Sequence, residues 1–298
     1  MSIVDLASER LRGLARSVIP RGIVQPFGAY CFGPFDPAAE LARAVESAVL
    51  LQSFGITPET IRAEYGEYES ASLFFCILDH RREVPAGAVR IILPTAGGPG
   101  MKTVNDMPRS WDETVDDFVA RHTLPCDLEK TWDIATLAVA PEYRSPMATG
   151  LVSMGLYQSG LRTAIELGFQ WMIAIIDLAV LRMSRVRFHQ PFIAFAEGRP
   201  YLGSECLPVY LSVPGYRSQL AVVDPPMHGI MFEGVGIEPA LSPLSPLAAA
   251  ATARRVPGYV ELRPTEDLTS LDLERLRAVV GDVPQQQAPA RSQRAEHG

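Results

Sequence analysis

Positive charge is scarce in this chain, so no global basic field draws it to nucleic acid or an anionic membrane, and only a local basic patch is open. Its 298 residues carry 27 Lys+Arg against 34 Asp+Glu, a formal charge of −7. No stretch approaches the ~18 consecutive apolar residues of a membrane span. The first residues include Asp5 and Glu9 and lack a signal peptide's apolar block, so a cytoplasmic location without membrane attachment is expected. Cysteine is also sparse: Cys31, Cys76, Cys126 and Cys206 lie far apart and form no C-x-x-C pair. That argues against a zinc ribbon or disulfide framework and suits a reducing compartment. His80, His122 and His228 have no metal-ligand spacing, and no G-x-S-x-G is present. No glycine fingerprint follows a first strand either. Metalloenzyme, serine-hydrolase and dinucleotide-binding readings therefore lack support, and no metal or bound cofactor is expected.

What is present is apolar material, 47% of residues, enough for one large domain with appendages. Residues 2–19 place Ile3, Leu6, Leu11, Leu14, Val18 and Ile19 on one helical face, which would dock on its own domain or on a second copy in a homodimer. Asp36 and Pro37 start a helix running to about residue 52. Residues 72–78 and 87–93 read as a strand hairpin, 96–100 as a glycine-rich break, and 110–122 as an acidic helix. A strand over 132–139 precedes a long helix over 148–168, stopped by Gly168. A buried strand at 171–176 and a helix at 179–188 follow, with 207–213 and 219–223 completing the sheet. This order predicts an α+β fold, a mixed sheet flanked by helices. Its expected division is an N-terminal helix (1–22), a core domain (23–225), a C-terminal extension rich in proline, alanine and serine (226–283, one helix at 268–280), and a disordered tail (284–298).

The most informative stretch is Trp132-Asp133-Ile134-Ala135-Thr136-Leu137-Ala138-Val139-Ala140-Pro141, a buried strand that stops at a proline shortly before the long helix. A strand that splays from its neighbour there exposes unpaired N–H and C=O groups. Such groups suit the amide-rich arm of pantetheine, and the helix start suits its phosphates.

Three segments carry a family resemblance. Gly87-Ala88-Val89-Arg90-Ile91-Ile92-Leu93-Pro94-Thr95 is similar to a G-x-x-R-L-L-P-T strand. Residues 132–139 are similar to W-E-x-S-R-F-A-V, with Asp133 in place of the glutamate and Thr136 in place of the arginine. Residues 202–213 are similar to a closing G-x-x-x-x-x-x-x-Y-x-x-V element. Together they resemble the GNAT superfamily of acyltransferases, and within it the branch of acyl-homoserine lactone synthases and N-acyl amino acid synthases. The resemblance implies a GNAT-like, splayed sheet. It also implies acyl transfer from acyl-CoA or an acyl carrier protein, as co-substrate, to the amine of a small molecule. The branch's D-x-x-D corresponds to Glu64 and Glu67, with Glu69 competing with Glu67 for the register. The changes at Asp133 and Thr136 imply a rewritten acceptor pocket, with S-adenosylmethionine disfavoured as acceptor.

Thioester aminolysis requires a polarised carbonyl, a neutral amine and a thiolate that can leave. The main chain of Leu137, Ala138 and Val139 would supply the first and grip the donor, with Arg144 and Ser145 on the phosphates. Asp133 and Glu67 are candidate bases, Tyr143 a candidate acid for the thiolate, and Glu64, Trp132 and Thr136 candidate acceptor contacts. Arg90, in an apolar strand, either pairs internally with Asp133 or Glu67 or clamps an acceptor carboxylate. Two rivals keep the fold: aminoacyl-tRNA as donor, contacted by Arg182, Arg185 and Arg187, and a non-catalytic module that binds a ligand or partner.

Overall fold

The computed structural model describes residues 5–122, 127–144, 150–194 and 196–262. The helix expected at 268–280 and the tail from 284 lie outside the described residues.

The first helix, α1 (Glu9–Val18), buries Leu11 and Ala15 against its own chain. After β1 (Phe27–Phe32) comes α2 (Ala39–Phe54), and then α3 (Pro58–Tyr65), which starts where the Thr57 hydroxyl accepts from the Thr60 N–H and Pro58 needs no donor. β2 (Ser72–Asp79) and β3 (Val84–Ile92) form the expected hairpin, and every residue of both is buried. Strands buried on both faces need cover on both. One face of β2, with Phe74, Cys76 and Leu78, meets α2. The other, with Phe75 and Ile77, meets α6 (Leu151–Leu167).

Between them the chain forms α4 (Lys102–Trp111), α5 (Val115–His122) and β4 (Thr131–Val139). The expected acidic helix is thus two helices, split at Asp112, whose φ is 57°. Beyond α6 run β5 (Trp171–Asp177), α7 (Leu178–Phe188), β6 (Ile193–Ala194), β7 (Arg199–Tyr201) and β8 (Ser204–Ser212). The 219–223 segment, read above as a strand, is instead the end of α8 (Val213–Val223). Pro214 and the Ser212 hydroxyl, which accepts from the Gly215 N–H, start a helix there, and β-branched content alone does not outweigh that cap. α9 (Pro225–His228), β9 (Leu241–Ser242) and α10 (Pro246–Ala253) follow.

The strands make one mixed sheet in the order β6-β8-β5-β4-β3-β2-β1-β9, with β7 beside β8. β9 pairs in parallel with β1, and α10 buries Ala249, Ala250 and Ala253 against the α6 side. Met231, Phe232, Leu241 and Val256, from the segment after residue 225, are buried in the same core cluster. α6 crosses the sheet closely at Gly87, where an added Cβ would lie 2.5 Å from Val152 Cγ1 and 3.2 Å from the Ala138 carbonyl oxygen. Gly87→Ala is expected to cost about 1–3 kcal/mol in urea unfolding, and an unchanged midpoint would show that this crossing relaxes freely.

Candidate active site

The parallel pairing of β4 with β5 lasts only from Thr131/Trp171 through Trp132/Met172 to Asp133/Ile173. Both strands then continue on their outer sides, β4 with β3 as far as Val139 and β5 with β8 as far as Asp177. They diverge into a V whose apex is Asp133. The parting therefore begins well before the Leu137–Val139 stretch where the sequence suggested it. Its local cause is a bulge: Arg90 pairs with Thr136 but Ile91 with Ile134, leaving Ala135 as the extra residue.

The Ala140 N–H donates to the Ala86 carbonyl at 2.9 Å. By strand alternation, Ala138 and Thr136 also turn their main-chain groups to β3, and Leu137 and Val139 turn theirs into the V. The Val139 carbonyl accepts from Arg144 Nε at 2.7 Å, as this requires. Of the three expected donor-gripping residues, Ala138 is thus committed to the ladder.

The V opens into a cavity of about 140 Å³. Leu50 and Phe54 of α2, Ile61, Glu64 and Tyr65 of α3, and the first residues of α4 line one end; Ile175, Ile176 and Val180 line the β5 side. The β7–β8 turn closes it. Gly203, at φ 83°, would bring a Cβ within 2.7 Å of the Phe54 carbonyl oxygen, so only glycine lets this hairpin tip dock on α2.

Asp133 is fully buried at the apex. Its carboxylate accepts from the Thr103 N–H and the Thr103 hydroxyl, both at 2.7 Å. Burial pushes its pKa up to about 6, with a further rise from Asp106, against the lowering by the two Thr103 donors and Lys102. A carboxylate that titrates near 6 and keeps spare lone pairs is suited to take a proton from an amine. Beside it, Lys102 Nζ donates to Glu64 at 2.9 Å and to Asp106 at 2.7 Å, and Tyr201 donates to the same Asp106 oxygen at 2.5 Å. Burial works against the Lys102 charge, but the two carboxylates outweigh it and raise its pKa.

The other candidates fall in different places. Glu64 and Thr136 line the cavity, although the Thr136 hydroxyl donates to Glu46 Oε1 at 2.5 Å. Glu67 is exposed on the turn after α3, outside the lining, so position alone separates it from Asp133 as a base. Trp132 does not reach the cavity; it is stacked in the core on Phe169, ring centroids 5.2 Å apart. Tyr143 lies outside too, donating to Asp79 at 2.9 Å and accepting from Arg82 at 3.0 Å, and burial raises its pKa. A role as thiolate acid does not fit that position.

Arg90 points to the α2 side, where it donates to both Glu46 oxygens (3.0 and 2.6 Å) and to Glu69 at 2.7 Å. Burial alone would lower its pKa; Glu46 and Glu69 outweigh it and hold it above the ordinary value. Neither Asp133 nor Glu67 is its partner, and a saturated guanidinium cannot clamp an acceptor. Arg144 lies at the mouth of the V, tied to Val139 and 3.4 Å from the Ser53 hydroxyl. Ser145 lies outside the described residues. Arg185 turns inward to the Phe192 carbonyl at 2.7 Å, which removes it from any basic surface for tRNA.

Lys102, Thr103, Asp106 and Tyr201 escaped the sequence reading. One signal was available: Lys102 is one of only two lysines in a chain rich in arginine.

No family model matches the chain, and no curated protein matches it by sequence. Solved structures do match. FeeM, an N-acyl amino acid synthase from uncultured soil microbes, is 16% identical over 65% of this chain and 95% of its own, with TM-score 0.47. The CoA-dependent acyl-homoserine lactone synthase BjaI is 14% identical over 78% and 99%, with TM-score 0.48. The ribosomal-protein-S18-alanine N-acetyltransferase from Escherichia coli is 12% identical over 62% and 94%, with TM-score 0.37. At these scores the likeness adds nothing to the chemistry, which rests on the cleft itself. The unclosed mixed sheet, parted between β4 and β5, is the GNAT-like architecture that the sequence resemblance implies.

Proposed function

We propose that this chain is an N-acyltransferase that moves an acyl group from a pantetheine thioester, acyl-CoA or acyl carrier protein, to the amine of a small molecule. The observation that carries the reading is the V itself: main-chain groups of Leu137 and Val139 face an open cleft whose apex holds a buried carboxylate of raised pKa. The pantetheine arm would lie along β4 as a partial extra strand, displacing Arg144 from the Val139 carbonyl. An N–H on the same edge would polarise the thioester carbonyl. The ammonium first yields one proton to solvent by way of Asp133; the neutral nitrogen then attacks that carbon, the C–S bond breaks, and the second proton lost by nitrogen passes through Asp133 to the departing thiolate. No side chain needs to form a covalent intermediate.

The test is thiol release from octanoyl-CoA and from octanoyl acyl carrier protein, with and without a panel of primary amines, and mass spectrometry of the amide product. Amine-dependent release from either carrier supports the reading and identifies the carrier. Retention of acyl-CoA without any turnover would point to the non-catalytic alternative, and turnover with aminoacyl-tRNA alone would replace the donor.

A further inference from the structure

We propose that the acceptor is an amine with no carboxylate beside its nitrogen, an alkyl- or arylalkylamine rather than an α-amino acid. This rests on the acyl-transfer reading above and concerns the same cleft.

To reach a thioester lying along β4 and give its proton to Asp133, the acceptor nitrogen must sit at the apex of the V. The charges there are lopsided. Glu64 and Asp133 line the cleft, and Asp106 stands directly behind Lys102. Lys102 is the one cation among the lining residues described. Its ammonium is already spent: two carboxylates hold it at 2.9 and 2.7 Å, and it sits over the Tyr65 and Tyr201 rings, 5.1 and 5.9 Å from their centroids. Arg90 would be the natural carboxylate clamp of β3, but it lies behind Tyr65 rather than among the lining residues and is held by Glu46 and Glu69.

An incoming ammonium therefore meets net negative charge. A carboxylate one carbon from that nitrogen would be buried next to Asp133 with no counter-ion, the arrangement low-polarity surroundings penalise most. The walls beyond are apolar (Leu50, Phe54, Ile61, Leu202), which suits a hydrocarbon or aromatic body.

Matched pairs differing only in the carboxylate isolate the effect: tyramine with tyrosine, phenethylamine with phenylalanine, and pentylamine with norleucine. With octanoyl-CoA or octanoyl acyl carrier protein as donor, the decarboxylated member is expected to show about 100-fold higher kcat/KM in at least one pair. Glu64→Gln should weaken that amine about tenfold, chiefly through KM. Amino acids acylated as well as their matched amines would overturn the inference and leave acyl transfer standing. No amine-dependent thiol release with any member would overturn acyl transfer itself, and the inference with it.

Discussion

Asp133→Asn is expected to lower amine-dependent thiol release by ~10²-fold or more at pH 7.5, because asparagine offers no basic oxygen at the apex of the V. The pH profile should change with it. In the parent, Asp133 carries its proton below about pH 6, so kcat/KM should fall roughly tenfold per pH unit on that side. The variant's residual rate should show no break near pH 6. Stability should respond in the opposite sense. A carboxyl whose folded pKa is raised, from 3.8 to about 6, stabilises the fold only while protonated. That contribution is complete below the ordinary carboxylate value and is lost as pH rises through about 6. Asparagine does not titrate. The unfolding free energy of the variant relative to the parent should thus improve by about 2 kcal/mol between pH 4 and pH 7, whatever constant cost the amide incurs against Thr103. Urea unfolding at the two pH values measures it. A parallel pH dependence in both proteins would remove Asp133 from the mechanism and from the linkage.

Glu46→Ala should be the most damaging single change to the fold described here. Glu46 is 3% exposed and binds Arg90 through both carboxylate oxygens while accepting from the Thr136 hydroxyl. Removing it leaves the Arg90 guanidinium buried, with only the partly exposed Glu69 for compensation. Breaking such a pair costs about 3 kcal/mol or more. The double replacement Glu46→Leu with Arg90→Met removes both charges together and should recover most of that loss. Because Thr136 is the partner of Arg90 at the edge of the β4 bulge, the single variant should also loosen the V and raise KM for the thioester. A loss below about 1 kcal/mol in denaturant unfolding would show that water or Glu69 already satisfies Arg90.

Local sequence specifies the strands at 72–78, 87–93 and 171–176, the long helix before Gly168, and the abrupt end of β4 at Pro141. Each depends on neighbours within a few residues: a hydrophobic run, a cap, a left-handed glycine, a residue without an N–H. It also puts Asp133 among the candidate bases, because that residue lies near the start of the strand that ends at Pro141.

Tertiary structure decided the rest. Side-chain alternation says which face a residue takes but not which strand lies beside it, and β2 and β3, buried on both faces, show no alternation at all. The parting of β4 from β5 at Asp133 therefore had no local signature. Neither had the pairing of Arg90 with Glu46 across 44 positions of chain, nor the meeting of Glu64, Lys102, Asp106 and Tyr201 from three separate elements. Ion pairs and clefts are set by distances through space, and those exist only once both faces of the sheet have been covered.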